Sequence, residues 1–325
     1  MKRSLAVPTA GAAVVLLALM TACSSSGSSS SASGGSTGGA TGGSTSGKTY
    51  KMTFIQGVAG DGFYVTMGCG IQTEAKKLGN VTVNIQGPSQ FDATLQNPII
   101  ESVTAAKPDA ILIAPNDVSA SRPPIAAAMA AGIKVVLVDT TLSDPSGAVS
   151  QISSDNLAGG GFAFKALQQL VPGGGEVLVV NTKPGISTTD QRTQGFADAV
   201  KADPKFKYVG VQYNQDSASI AAQVTLAALQ KNPGIVGIFA TNLFGAEGAA
   251  TGVRQAGKSG KVKIVGFDAG PDQITAVEQG TVQALIAQHP YDIGTNAVDQ
   301  AYAASPASRP IRRSAPSSLS SRRPT

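Results

Sequence analysis

Between residues 51 and 304, short apolar runs alternate with longer stretches in which apolar residues recur every third or fourth position. The runs at 52–57, 81–86, 110–114, 134–138, 149–153, 176–181, 208–213, 235–240, 262–267 and 282–288 are rich in Val and Ile, which predicts strands. The amphipathic stretches at 64–78, 93–106, 157–170, 189–201, 219–230 and 246–255 predict helices. Runs that are apolar at nearly every position and are followed by helices belong to parallel sheets covered on both faces. Ten such runs are too many for one small sheet, so the expected fold is α/β, with two doubly wound parallel-sheet lobes. In such sheets ligands sit beyond the carboxyl ends of the strands. The polar residues directly after strands are therefore the first site candidates: Asp61, Asp139, Asn242, Asp268 and Gln288.

The two ends of the chain break this pattern. Lys2 and Arg3 precede an unbroken apolar run at 12–20, which is shorter than the ~20 residues needed to span a bilayer. The run ends in Leu19-Met20-Thr21-Ala22-Cys23, which resembles the lipobox of bacterial lipoproteins, with Met20 in place of the usual Leu. Residues 1–22 are therefore expected to be a signal peptide and Cys23 a lipidation site, the plainer alternative being a secretory signal with an incidental Cys. Residues 23–48 are nearly all Ser, Gly, Thr and Ala and read as a flexible tether with a reach of ~25–30 Å. At the other end, 305–325 is mostly Ser, Arg and Pro with no acidic residue, which points to a disordered tail or a shifted reading frame near Ala304.

Composition narrows the function. With 42% hydrophobic residues over 325 positions, the chain has ample material for real cores. The net charge of +5 comes from the ends: without the seven basic residues there, 18 Lys and Arg face 20 acidic residues. No basic face is left for nucleic acid. Two Cys and one His exclude a disulfide scaffold and a Cys- or His-built metal site, so neither a metal nor another cofactor is expected.

Nothing marks an enzyme. Residues 252–259, GVRQAGKS, match the P-loop pattern letter for letter. A phosphate loop must leave a strand and open a helix; this segment closes a helix, with Gly257 placed to end it. The glycines at 159–161 and 173–175 lack the dinucleotide-binding order, and His289, followed by Pro290, has no evident triad partner. Cys69 falls inside a predicted helix, where a small buried residue is the expectation rather than a nucleophile.

The strand-end residues, taken in order, resemble a known family. Val138-Asp139, Ile152-Ser153-Ser154-Asp155-Asn156 with Gly159-Gly160, Arg192 with Gly195-Phe196, Phe239-Ala240-Thr241-Asn242, Ala256-Gly257-Lys258, Val265-Gly266-Phe267-Asp268 and Ile286-Ala287-Gln288 are similar to the periplasmic ribose-binding proteins. The resemblance covers about residues 50–303. It implies the type I periplasmic binding fold, with lobes at 49–153 plus 289–304 and at 154–288, joined by a hinge of three crossover strands. It also implies a monomeric, non-enzymatic binding component of an ABC-type sugar importer, partnered by a membrane permease and attached to the membrane through its lipid.

Residue by residue, the resemblance places Asp61, Phe63 and Tyr64 in the first ligand loop, with Asp139, Asn242, Asp268 and Gln288 as polar contacts. Two family arginines are replaced, by Thr140 and Asp190, and Arg192 matches a more structural one; around Asp216 the match is loose. Each position also has a plainer reading. Asp155 and Asn242 are natural helix caps, Phe63 and Tyr64 can be core, and Gln288 can serve the hinge. With Asp61, Asp139, Asp190 and Asp268 facing one Arg, the cleft should repel anions. A neutral sugar or polyol is the expected ligand, with an amino sugar second.

Two alternatives accompany this reading. One is a sensory protein that passes its bound state to a receptor. The other is an impaired copy, because Pro306, Pro310, Pro316 and Pro324 leave the tail unfit to add the family's last strand. A transcription regulator of the same fold would need a helix-turn-helix before residue 50, where the chain has only the signal and tether.

Overall fold

The structure, a computed structural model, describes residues 48–305. The expected signal peptide, Cys23, all of the tether but Lys48 and all of the tail but Ser305 lie outside the described residues. The first lobe runs β1 (Tyr50–Ile55), α1 (Gly62–Leu78), β2 (Val81–Gln86), α2 (Ala93–Ala105), β3 (Ala110–Ile113), α3 (Arg122–Ala130), β4 (Lys134–Val138) and β5 (Ser150–Ile152). The second lobe runs α4 (Asn156–Leu170), β6 (Gly175–Asn181), α5 (Ser187–Lys201), β7 (Phe206–Tyr213), α6 (Ala218–Lys231), β8 (Ile235–Ala240), α7 (Leu243–Gln255), β9 (Lys263–Phe267), α8 (Pro271–Glu278) and β10 (Ala284–Ile286). A last helix, α9 (Pro290–Ala303), returns to pack on α1 and on β3, β4 and β5.

Each sheet has five strands, ordered β2-β1-β3-β4-β5 and β10-β9-β8-β6-β7. Every strand pairing is parallel. Read from its other edge, the second order repeats the first with β6 in the place of β1. The fold class expected from the sequence is thus the one found. Among the described residues no strand follows α9.

The central strands are apolar on both faces because both faces are covered. In the first lobe Phe54, Leu112, Val136 and Val138 pack under α1 and α9, while Ile55, Ile111, Ile113, Val135 and Leu137 face α2 and α3. The second lobe divides its strand residues in the same way: Leu178, Val180, Ile238 and Ile264 meet α6 and α7, and Val177, Val179, Phe239 and Val265 meet α4 and α5. Burying one such Val, Leu or Ile side chain contributes about 1.5–3 kcal/mol. Helices α4 and α5 approach closely enough that a Cβ on Gly160 would strike the Arg192 carbonyl, and one on Gly195 the Leu157 carbonyl. These glycines let α5 lie where Arg192 reaches the space between the lobes.

The differences from expectation have local causes. Helices α3 and α8 are absent from the sequence reading: α3 buries only Ile125 and Ala128, and α8 only Gln273, so neither carries a clear apolar stripe. Helix α9 is also missing from the expected helices, although its buried residues Ile293, Gly294, Ala297, Val298 and Ala301 follow helical spacing. Cys69, expected to be buried, is exposed, because α1 turns Tyr64, Met67, Gly68, Ile71 and Ala75 inward instead. Segment 252–259 does close a helix: α7 ends at Gln255 and Gly257 follows in the left-handed region, with φ +66°.

Candidate functional site

The chain passes between the lobes at 153–155 and again at 287–289, and the two passages are tied together where Ser154 Oγ donates to Gln288 Oε1 at 2.7 Å. Beyond the carboxyl ends of both sheets lies a cleft enclosing about 430 Å³ of non-atom space, its mouth included.

Asp61 ends the β1–α1 loop as the N-cap of α1, accepting the Phe63 N–H at 2.7 Å. The first turn of α1 then presents Phe63 and Tyr64, whose rings meet edge to face at 5.2 Å. The Tyr64 hydroxyl donates to Asp139 Oδ2 at 2.8 Å, just past the end of β4. From the second lobe, Asp268 follows β9 and accepts Gln288 Nε2 at 2.6 Å. Asn242 caps α7 by accepting the Gly245 N–H at 3.1 Å and donates through Nδ2 to Asp216 Oδ1 at 2.7 Å. Asp61 and Asn242 are therefore helix caps and cleft residues at once.

Arg192 is the buried cation of the cleft. Its Nε donates to Asn156 Oδ1 and its Nη1 to the Thr241 carbonyl, both at 2.8 Å, and its guanidinium lies 3.8 Å from the centre of the Phe267 ring. Burial lowers its pKa, while Asp268 and Asp139 oppose that shift.

The carboxylates feel the same burial in the other direction. Asp61 is pushed up to about 7, chiefly by burial, against the Phe63 N–H and reinforced by Asp268, Asp216 and Asp139. Burial also raises Asp139 to about 6 in spite of Arg192 and Tyr64, and Asp216 to about 6 in spite of Lys183. Asp268 is shifted upward for the same reason, with Arg192 and Gln288 opposing. Among the described residues no group of three or more His, Cys, Asp or Glu side chains is placed to hold a metal ion.

Seven of the nine expected contacts line this cleft: Asp61, Phe63, Tyr64, Asp139, Asn242, Asp268 and Gln288. Thr140 and Asp190 do not. The Thr140 hydroxyl donates to the Pro115 carbonyl at 2.7 Å, and the Asp190 carboxylate folds back to accept Gly185 N at 2.8 Å and Asn181 Nδ2 at 3.2 Å. Phe91, Thr182, Ile186, Thr188 and Thr189 also line the cleft and are not among the expected contacts; Arg192 and Asp216 enter the sequence reading only as a structural match and a loose one. Thr182 directly follows β6, so the strand-end rule that picks out Asp139 applies to it equally.

The lobes touch beside the cleft. Val118 N donates to the Gly185 carbonyl at 3.0 Å, Thr141 N to Ser187 Oγ at 2.9 Å, and Lys183 Nζ to the Phe91 carbonyl at 2.8 Å.

Two doubly wound lobes around a polar cleft define the type I periplasmic binding fold. Residues 52–306 match the family described as periplasmic binding protein domain, and the chain belongs to that family. It is 35% identical over 241 residues to the D-allose-binding periplasmic protein of Escherichia coli, covering 71% of this chain and 77% of that one. It is 30% identical over 239 residues to the ribose import binding protein of Bacillus subtilis, covering 74% and 76%. A solute-binding protein of an ABC transporter from Agrobacterium vitis, solved with α-D-tagatopyranose, superposes with a TM-score of 0.76 at 38% identity, covering 78% of this chain and 88% of that one. These relatives are binding components of transport, and membership of the family makes this chain a solute-binding protein and not an enzyme.

Proposed function

We propose that this protein captures a neutral sugar or polyol between its lobes and delivers it to the permease of an ABC-type importer. The observation that carries this reading is the cleft itself, whose lining holds Asp61, Asp139, Asp216 and Asp268 and one guanidinium, that of Arg192. An ionised carboxylate accepts hydroxyl hydrogens in charge-assisted bonds, roughly twice as strong as neutral ones. The surplus of acids disfavours sugar phosphates and sugar acids. Phe63 and Tyr64 offer apolar faces to a sugar ring.

The ligand contacts in this reading are Asp61, Phe63, Tyr64, Asp139, Asn242, Asp268 and Gln288. The first lobe comprises 49–153 and 289–304, the second 154–288, and ligand shifts the pair toward a closed form. The protein acts as a monomer on the outer face of the bacterial cell membrane, held by a lipid on Cys23. Family membership and the sugar-binding relatives support the extracytoplasmic and transport parts of this reading.

A thermal melt with D-ribose, D-allose, D-tagatose, polyols, amino sugars and sugar acids tests it. A ligand at 100 times its Kd adds about 2.7 kcal/mol, a rise of a few degrees. A rise with a sugar acid and with no neutral member would overturn the ligand class. For the anchor, Cys23→Ala should move the protein from the membrane fraction to the soluble one; an unchanged distribution would refute lipidation at Cys23.

A further inference from the structure

Of the seven buried side-chain oxygens without a hydrogen-bond partner among the described residues, two belong to residues that line the cleft: Thr182 Oγ1 and Thr189 Oγ1. Their residues are 3% and 4% exposed. They come from different places, Thr182 from the end of β6 and Thr189 from the first turn of α5.

Both are firmly placed. Thr182 N donates to Asn181 Oδ1 at 2.6 Å, and Asn181 Oδ1 also accepts the Thr241 hydroxyl at 3.0 Å. Asn181 Nδ2 reaches Asp190, which in turn holds Gly185 N, so the segment from 182 to 190 is fastened at both ends. Orienting bonds thus go to the neighbours, and the two hydroxyls are left over.

Several other donors of the cleft already hold protein partners. The Tyr64 hydroxyl donates to Asp139, Gln288 Nε2 to Asp268, and Asn242 Nδ2 to Asp216. The ionised carboxylates can only accept. A hydroxyl buried without a partner costs free energy, so a pair of them on residues that line a ligand cleft is expected to be completed by the ligand.

We infer that Thr182 and Thr189 are specificity-determining ligand contacts, whose hydroxyls hydrogen-bond sugar hydroxyl groups on the second-lobe side of the cleft. The inference rests on the sugar-binding reading above and adds the residues that distinguish one sugar from another. A site that hydrogen-bonds a substrate hydroxyl discriminates strongly against the analogue lacking it.

The test is isothermal titration of the full chain with D-ribose, D-allose, D-tagatose and their monodeoxy forms. The variants are Thr182→Val and Thr189→Val, which keep the shape and remove the hydroxyl, with Thr182→Ser and Thr189→Ser as controls. Each Val variant should raise Kd roughly 10- to 100-fold for the sugar bound by the wild type. Each Ser variant should stay within a few-fold of wild type. One monodeoxy form should bind a Val variant and the wild type equally. The unliganded Val variants should melt at the wild-type temperature or above, because a buried unpaired hydroxyl has been removed.

Val variants that bind every sugar as the wild type does, or that lose affinity equally for all deoxy forms, overturn the assignment. A wild type that binds no sugar in the panel overturns the sugar-binding reading itself and this inference with it. A wild type that binds while the Val variants bind unchanged overturns only the threonine assignment.

Discussion

Asp139 and Asp268 occupy the same place in the two lobes. Each follows the fourth strand of its sheet in the left-handed region, with φ +59° and +77°, and each donates its N–H to the neighbouring edge strand, to the Ile152 and Ile286 carbonyls at 2.8 and 3.0 Å. A non-glycine residue held there stores strain of about 1–3 kcal/mol. In both lobes that strain turns a carboxylate into the cleft.

Asp139→Gly and Asp139→Ala both remove the acceptor of the buried Tyr64 hydroxyl, so the difference between them isolates the backbone strain, which glycine relieves. Asp139→Ala, which keeps a Cβ at the same φ, should be less stable than Asp139→Gly by about 1 kcal/mol. Both should weaken sugar binding roughly 10-fold or more, from loss of a charge-assisted bond. Equal stabilities for the Ala and Gly variants would contradict the strained conformation.

A second pair of substitutions examines the α4–α5 contact. Gly195→Ala drives a methyl into the Leu157 carbonyl and should cost about 1–3 kcal/mol or more, with sugar affinity falling as α5 and Arg192 shift. Gly161→Ala lies in α4 with nothing within 4 Å of the new methyl. It should stabilise by about 0.5–1 kcal/mol through helix propensity alone. Denaturation midpoints in urea check both, and a Gly195→Ala protein as stable as wild type would mean that the helices can separate without cost.

The same helix shows what was legible in the sequence. The central strands were readable because they are apolar on both faces and the edge strand β2 because Val81, Val83 and Ile85 alternate with polar residues, and the Asp and Asn residues after strands were readable because the chain must turn there at the ligand end of the sheet. The expectation of Asp190 in the cleft comes from its match to a family arginine. Helical phase argues otherwise: Thr189, Arg192 and Phe196 stand at i, i+3 and i+7, all three are buried, and they share one face. Thr140 could not be excluded in this way, because only the fold shows its hydroxyl reaching the Pro115 carbonyl. Phe91 and Asp216 lie in loops, where no periodicity announces which residue faces the cleft.

Lys183 links the lobes. Its ammonium donates to the Phe91 carbonyl and lowers the pKa of Asp216. Lys183→Met should raise Kd a few-fold, mainly through a faster off-rate, because the contact joins the two sides of the cleft. Stopped-flow release of bound sugar checks this; an unchanged off-rate would show that the contact does not belong to the bound state.

The cleft carboxylates predict a distinctive response to pH. Asp61 at about 7, Asp139 and Asp216 at about 6 and the raised Asp268 all lie above the unfolded value of 3.8. The folded protein therefore binds more protons than the unfolded chain between these values, and stability falls as pH rises through that window. The surface carboxylates act oppositely: Asp144, lowered to about 2 by Ser146 and Arg122, contributes stability that is lost only as pH falls below its unfolded value. The unliganded protein should thus be more stable near about pH 5 than near about pH 8. Sugar hydroxyls that donate to these carboxylates favour the ionised form, so binding should release protons and Kd should fall as pH rises across the same window. Titration calorimetry in two buffers of different ionisation enthalpy measures that release directly. Asp61→Asn should remove the part of it centred near about 7, and proton uptake on binding in place of release would mean that the ligand does not donate to this cluster.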